Sequence, residues 1–189
     1  MSEIVFLLEE PSAEAMLRGL LPKLLPADVS VRYVVFEGKQ DLEKQLVRRM
    51  RGYRVPGARF VVLRDKDAGD CRAIKTQLVS KCREAGKTGA LVRIACHELE
   101  SWYLADLAAV EVGLELFGLT KLQNKNPYRA PDALPCPSDK LQQIAPSYQK
   151  VSGSRAIGPH LDIHNSRSES FAVFVTGVQG LIGKRRRLV

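Results

Sequence analysis

Acidic side chains follow two apolar segments of the sequence at the points where the segments end. Glu9 and Glu10 close the first segment, and Asp65 and Asp67 follow the second. In an open α/β sheet, ligands bind outside the carboxyl ends of the strands. Carboxylates gathered there repel one another and supply the oxygen ligands that a hard divalent cation prefers. The sequence therefore predicts a site for Mg²⁺ or Mn²⁺ at this edge of a sheet.

The elements that would position these acids alternate regularly over the first hundred residues. β-Branched and apolar runs predict strands at residues 3–9, 29–36, 59–64 and 90–95, and amphipathic patterns predict helices at 11–25, 41–50 and 71–85. Ser12 is placed to cap the first helix. Parallel neighbours need long crossover connections, so the alternation predicts an α/β fold with a doubly wound, mainly parallel four-stranded sheet and helices on both faces.

The pattern weakens after the fourth strand. We expect one long helix over residues 98–116, with Trp102 packed in the core, and an extended excursion over 124–137, which holds four prolines. Short helices are predicted at 138–149 and 168–182. The chain then divides into an α/β core of residues 1–117 and a C-terminal helical and irregular extension of residues 118–189 that packs on the core.

Composition limits the class of protein. The hydrophobic content of 45% over 189 residues is enough for a sizeable core. No apolar run approaches the roughly 18 to 20 residues that cross a bilayer, and the start lacks the features of a signal peptide. We therefore expect a cytoplasmic protein without membrane contact. The four cysteines are scattered and predict free thiols, although a zinc site that includes Cys96 and His97 is a minor alternative.

Positive charge is concentrated in the last third of the chain. The formal net charge is +8, and residues 121–189 hold 11 basic but only 4 acidic side chains. Basic excess beside an acidic metal site suits a polyanionic phosphate substrate such as nucleic acid. The alternative for the run Lys184 to Arg187 is a solvated tail.

Several motifs together resemble known families. The acid after strand one, the helix that opens Pro-Ser-Ala-Glu, and the Asp-x-Asp after strand three resemble the Toprim domain of topoisomerases, primases and overcoming-lysogenization-defect nucleases. Residues 97–106, HELESWYLAD, resemble the segment HEFEALLFAD of the Toprim-related family called domain of unknown function 4276. Residues 137–141, PSDKL, and 148–150, YQK, resemble that family's PSKRL and Y-x-K, so the resemblance spans almost the whole chain.

Two departures accompany the resemblance. Toprim domains typically have Gly after the strand-one Glu, whereas this chain has Glu10, which leaves open whether Glu9 or Glu10 is the ligand. Residues 168–171, Ser-Glu-Ser-Phe, stand where the related family often has Cys-Pro-x-Phe. We expect this second change to affect packing only.

The resemblance implies metal-dependent phosphodiester chemistry, by a nuclease or related phosphotransfer enzyme that acts in phage defence beside a partner ATPase. The catalytic residues would be Glu9, Asp65, Asp67 and Glu98. The metal ligands would be Glu9, Glu10, Asp65, Asp67, Glu98 and Glu100, and the substrate would contact Ser138, Lys140, Tyr148 and Lys150.

Spacing adds detail to these roles. Residues two apart in an extended chain point the same way, so Asp65 and Asp67 can both face one ion or a pair of ions. Two acids two apart on a helix lie on nearly opposite faces, so Glu98 and Glu100 cannot both serve one ion. Glu98 is favoured if the loop extends through it, with Glu100 supporting it. Alternatively, both are first-turn acids that the helix dipole favours.

Two other functions remain open at this stage. One is a catalytically silent module that docks a partner ATPase or nucleic acid through the acidic crevice or the basic tail. The other is an enzyme that hydrolyses small phosphate compounds. Convergence of the acids in the fold would favour an enzyme over a binding module.

Overall fold

The computed structural model describes residues 2–183, and its centre is a four-stranded parallel sheet. The strands, in chain order, are β1 (Ser2–Leu8), β2 (Val29–Val35), β3 (Arg59–Asp65) and β4 (Leu91–Ala95). They lie in the order β2-β1-β3-β4, and every neighbouring pair is parallel. The predicted α/β fold with a four-stranded parallel sheet is therefore confirmed.

Helices cover both faces of the sheet. They are α1 (Pro11–Leu20), α2 (Lys39–Gly52), α3 (Cys71–Glu84), α4 (Glu100–Leu104), α5 (Leu107–Gly113), α6 (Pro137–Ile144), α7 (Lys150–Ile157) and α8 (Glu169–Gly183). Alternate strand residues face alternate layers. Val5 and Val62 pack with α2 and α3, whereas Phe6, Leu8 and Leu63 pack with α1 and the helices that follow β4.

The second layer joins the beginning of the chain to its C-terminal part. Leu141, Ile157 and Phe174 are fully buried in the same core as β1. Helix α7 packs closely along α1. A Cβ atom at Gly158 would overlap the backbone of Met16, so this close approach requires glycine. The packing carries the start of α7 toward the carboxyl end of β1.

The single helix expected over residues 98–116 is wrong, because α4 and α5 are separate. Asp106 interrupts the helix with φ −136° and ψ 73°, and its side chain accepts a hydrogen bond from the Ala109 N–H at 3.1 Å. An Asp side chain competes for backbone donors and so favours a helix start over a helix interior. The apolar periodicity continues through both helices, since Trp102 and Val110 are both buried, and so it conceals the break.

Smaller differences occur elsewhere. Helix α6 ends at Ile144 rather than near residue 149. Helix α7 was not predicted, because its interior contains Gly and Ser. Glu10, not Ser12, is the N-cap residue of α1, and the Ser12 hydroxyl donates to the Glu10 carboxylate at 2.8 Å. The basic run Lys184 to Arg187 lies outside the described residues. Within residues 2–183, no helix has the length and apolarity needed to cross a membrane.

Candidate functional site

The carboxyl ends of β1 and β3 bring Glu9 and Asp65 together. Leu8 and Leu63 are partners in the parallel register, so Glu9 and the last residues of β3 lie at the same edge of the sheet. Glu9 Oε2 accepts a hydrogen bond from the Asp65 backbone N–H at 3.1 Å. Asp65 is only 9% exposed. Two acids that are 56 residues apart in sequence thus share one largely buried location.

Asp65 lies at the centre of the acidic surroundings. Burial raises its pKa well above the ordinary value, and the negative charges of Glu100, Glu9 and Glu10 raise it further, while Lys150 opposes them. Burial also raises the pKa of Glu9; the hydrogen bond from the Asp65 N–H opposes this shift, and the charge of Asp67 adds to it. The acids that follow β1 and β3 therefore influence one another's charge, and Glu9 is in direct contact with Asp65. We call Glu9, Glu10, Asp65, Asp67 and Glu100 the acid cluster.

Glu100 reaches this group from the first turn of α4 and is only 1% exposed. Its Oε1 accepts a hydrogen bond from the Tyr148 hydroxyl at 2.9 Å. Its Oε2 is buried and has no hydrogen-bond partner among the residues that the structure describes. Burial raises the pKa of Glu100, and the charge of Lys150 opposes that shift. An unpartnered buried carboxylate oxygen is costly, so a cationic or donating group from outside the chain would stabilise it.

Glu10 faces a lysine. The Lys150 Nζ lies 2.8 Å from Glu10 Oε1, and Lys150 is the first residue of α7. The Tyr148 ring that supports Glu100 lies against Gly153 of the same helix, where a Cβ atom would overlap the ring. Helix α7 therefore supplies both the positive charge and the tyrosine packing at this side of the acid cluster.

Asp67 has a different lysine partner. Its backbone adopts a left-handed conformation with φ 52°, and its carboxylate lies 2.8 Å from the Nζ of Lys39, the first residue of α2. The Asp67 N–H donates to the His97 carbonyl at 2.7 Å. The His97 Nδ1 lies 2.9 Å from the Asp67 carbonyl oxygen, and this contact is a hydrogen bond when Nδ1 carries the proton. Asp65 and Asp67 thus belong to one cluster but have different cationic neighbours.

Glu98 and Glu100 take different positions, as their spacing predicts. Glu98 precedes α4, and its Oε2 accepts the backbone N–H of Ser138 at 2.8 Å, near the start of α6. Glu100, rather than Glu98, is the principal charge acting on Asp65. The sequence argument placed Glu98 closer to the site because it could not show which way the loop turns before α4 begins.

The predicted substrate residues are divided between the cluster and the surface. Tyr148 is buried and hydrogen-bonded to Glu100, and Lys150 is paired with Glu10. Lys140 donates to Gln143 at 3.0 Å and lies 5.8 Å from the ring centre of Tyr128. Tyr148 and Lys150 therefore belong to the acid cluster's own surroundings.

Sequence reasoning missed two cations next to the acids. Lys39 was not proposed for the site, and no motif marks it beyond its position after Gly38 at a helix start. Arg64 is buried, forms an ion pair with Glu43 through Nη1, and holds its Nε 3.8 Å from Glu9 Oε2, beyond hydrogen-bond distance. Lysines are common on helix surfaces, and the sequence does not show which distant acids Lys39 or the β3 residue Arg64 will contact.

The acid cluster has the chemistry of a divalent-cation site but not the arrangement of one. Within residues 2–183, no three or more His, Cys, Asp or Glu side chains are arranged as a ready metal site, including around Cys96 and His97. The acid cluster nevertheless offers only oxygen donors, which suit Mg²⁺ and Mn²⁺. The unpartnered Glu100 Oε2 is the feature that fits an added cation best.

The Ser168–Phe171 departure does more than alter packing, contrary to expectation. Trp102 is in the core as predicted, and its Nε1 donates to the Ser170 hydroxyl at 2.8 Å. The Ser168 hydroxyl donates to Asp132 at 2.7 Å, and the Ser170 N–H donates to the same carboxylate at 2.8 Å. These serines therefore form a hydrogen-bond network at the start of α8.

Comparison with known proteins gives one match. A family model described as Domain of unknown function (DUF4276) matches residues 8–179. No curated protein and no solved structure matches the chain. The matched range begins at the last residue of β1, includes β2 to β4 and the acid cluster, and ends within α8.

Proposed function

The chain belongs to the family described as Domain of unknown function (DUF4276), and we propose that it is a metal-dependent, Toprim-like nuclease or related phosphotransfer enzyme acting on nucleic acid. One observation carries this proposal: the charges of Glu100, Glu9 and Glu10 act on the buried Asp65, and Glu100 has a buried oxygen without a hydrogen-bond partner within residues 2–183. Acids concentrated in this way destabilise the fold unless a cation compensates them. Strongly perturbed acids at the end of a parallel sheet are typical of functional sites.

The residues that would hold Mg²⁺ or Mn²⁺ are Asp65, Glu9, Glu10 and Glu100, with Asp67 beside them. A bound divalent cation would supply charge stabilisation at a phosphate and a more acidic water. Glu9 already accepts the Asp65 N–H, which fixes its carboxylate at the site. Tyr148 orients Glu100 through the hydroxyl hydrogen bond. Glu98 joins the segment before α4 to α6 by accepting the Ser138 N–H.

Cationic side chains around the acids support a phosphate substrate. Lys150 and Lys39 lie at the edge of the cluster, and each is about half exposed. Lysine ammonium groups bind phosphate oxygens as point charges. The net charge of +8 adds long-range attraction for a polyanion.

The direct test of this function is a cleavage assay. The purified protein is incubated with supercoiled plasmid, single-stranded DNA and total RNA, with Mg²⁺, with Mn²⁺ and with chelator. We expect metal-dependent cleavage of at least one substrate and a loss of about a hundredfold or more in the double variant Asp65→Asn/Asp67→Asn. Asp28→Asn is the matched control, because Asp28 is exposed before β2, at the opposite end of the sheet.

A second function is favoured by one observation. The lysines already pair with Glu10 and Asp67, and the described residues contain no ready metal group. Both findings suit a non-catalytic module that docks nucleic acid or a partner ATPase. Nucleic acid binding that is the same with chelator and in the double variant, without any cleavage, would support this second function over the first. Either function is compatible with a phage-defence role beside a partner ATPase. Co-purification of the chain with that ATPase would test this role.

A further inference from the structure

The two lysines at the acid cluster occupy helix positions that are electrostatically unfavourable. Lys150 is the first residue of α7 and Lys39 is the first residue of α2. A helix N-terminus carries partial positive charge and disfavours cations. Neither helix has a side-chain N-cap hydrogen bond. Helix stability therefore does not account for lysine at these positions, whereas the contacts with the acids do.

Lys150 has the wider electrostatic influence of the two. Its Nζ lies 2.8 Å from Glu10 Oε1, and its charge also acts on Asp65 and Glu100. Lys39 pairs with Asp67 at 2.8 Å and acts on Glu9 as well. The two ammonium groups thus act on different acids of the cluster and approach them from opposite faces of the sheet, because α2 and α7 belong to different layers.

Lysine compensates the acid cluster only in part. Glu100 is only 1% exposed, and its Oε2 has no hydrogen-bond partner within residues 2–183. Lys150 contacts Glu10 rather than this oxygen. A divalent cation has twice the charge and takes several oxygen ligands at once, so it suits the cluster better than one ammonium group does.

We propose that Lys150 is a resident counter-ion of the acid cluster. A divalent cation that enters the cluster displaces the Lys150 ammonium from Glu10, and the displaced ammonium then binds a substrate phosphate. The inference rests on the proposed function and assigns the regulation of the same site. The Lys150 side chain is 48% exposed, so it can turn toward solvent without loss of core packing. Lys39 acts in the same way on Asp67, but with less influence on the buried acids.

Displacement has a measurable consequence for metal affinity. A divalent cation that enters the wild-type cluster must break the Lys150 ion pair and sit beside a positive charge. Removing that charge should strengthen Mn²⁺ binding about tenfold, since like charges a few ångströms apart repel each other. The loss of Lys150 also makes the acids harder to deprotonate, so the comparison belongs at about pH 8.

The test is a Mn²⁺ titration followed by the electron paramagnetic resonance signal of the free ion. It compares the wild type with Lys150→Gln, with Lys150→Arg, which keeps the charge, and with Lys87→Gln. Lys87 is the matched control, because it stacks over Phe60 at the amino end of the sheet and carries the same charge away from the acids. Thermal unfolding of each variant shows that it is folded.

Tighter binding by Lys150→Gln alone, with Lys150→Arg and Lys87→Gln like the wild type, is the expected result. Equal or weaker binding by Lys150→Gln, while the wild type binds Mn²⁺ at the cluster, would overturn the counter-ion role and leave the proposed nuclease standing. Absence of binding by all four proteins would overturn both. An equal gain in Lys87→Gln would show a general effect of net charge and would also overturn the inference.

Discussion

The two ends of the short helix α4 carry buried acids that are stabilised in opposite ways. Asp106, just after the helix, accepts the Ala109 N–H on one oxygen and the Asp162 N–H, at 2.7 Å, on the other. Glu100, at the helix start, has one oxygen bound by Tyr148 and the other without a partner among the described residues. Backbone donors thus satisfy one acid, while other acids surround the second.

This difference separates an acid that holds the chain together from one that is available for a ligand. Asp106 joins α5 to the segment near residue 162, and both of its oxygens are used. Burial raises the pKa of both Glu100 and Asp65, the charge of Glu100 raises that of Asp65 further, and Lys150 opposes both shifts. Buried carboxylates without donors are retained when they serve binding or catalysis.

The largest effect on stability is expected at the structural acid. Asp106→Ala leaves two backbone N–H groups without an acceptor and removes the cap of α5, so it should lower the free energy of unfolding by about 3 kcal/mol. Urea denaturation followed by circular dichroism measures the change. Asp139→Ala, at an exposed position in α6, is the control and should be nearly neutral. A loss below about 1 kcal/mol for Asp106→Ala would contradict the structural role.

The opposite sign is expected at the acid cluster. Asp65→Asn removes a negative charge from beside Glu9, Glu10 and Glu100, so it should raise the free energy of unfolding by about 1 to 2 kcal/mol at pH about 8 in chelator. The same denaturation experiment measures it. A destabilisation as large as that of Asp106→Ala would show that Asp65 is also a structural acid and would remove the contrast.

The gain in Asp65→Asn should depend on pH. The folded-state pKa values of Asp65, Glu9 and Glu100 are raised above 3.8, 4.5 and 4.5 respectively. The folded protein therefore keeps protons that the unfolded chain loses, and stability falls as pH rises through the folded-state values. Below about pH 3 these carboxyls are largely protonated in both states, so wild type and variant should converge there. A difference that is independent of pH would mean that charge repulsion is not its cause.

The smallest effect is expected at the counter-ion. Lys150→Gln removes an ion pair whose lysine is about half exposed, so solvent screening should limit the loss of stability to less than about 1 kcal/mol. Thermal unfolding in chelator measures it beside Lys87→Gln. A loss similar to that of Asp106→Ala would place Lys150 among the structural residues instead.

The fold was largely predictable because the signals for it are local. Each strand is a short β-branched run, and each crossover helix has an apolar stripe, so Ile4 to Leu8 and Phe60 to Leu63 were placed as strands. Parallel pairing then brings the residues after those strands to one edge. The approach of Glu9 to Asp65 follows from that geometry.

The rest of the site depends on directions that no local pattern encodes. Glu98, Glu100 and Asp106 all lie in one motif, and sequence alone did not distinguish their roles. Glu98 is hydrogen-bonded to α6, Glu100 belongs to the acid cluster, and Asp106 caps α5. Their roles depend on donors from Ser138, Tyr148 and Asp162, which arrive from distant segments. Burial and long-range hydrogen bonding thus determine which acids remain available.

The most direct measurement of the central claim is an anomalous difference map from a crystal of the wild-type protein soaked in Mn²⁺ at pH about 8. The account predicts a peak bounded by carboxylate oxygens of Asp65, Glu9 and Glu100, with the Lys150 ammonium moved away from Glu10. A map without a peak at saturating Mn²⁺, with Lys150 still paired to Glu10, would contradict it.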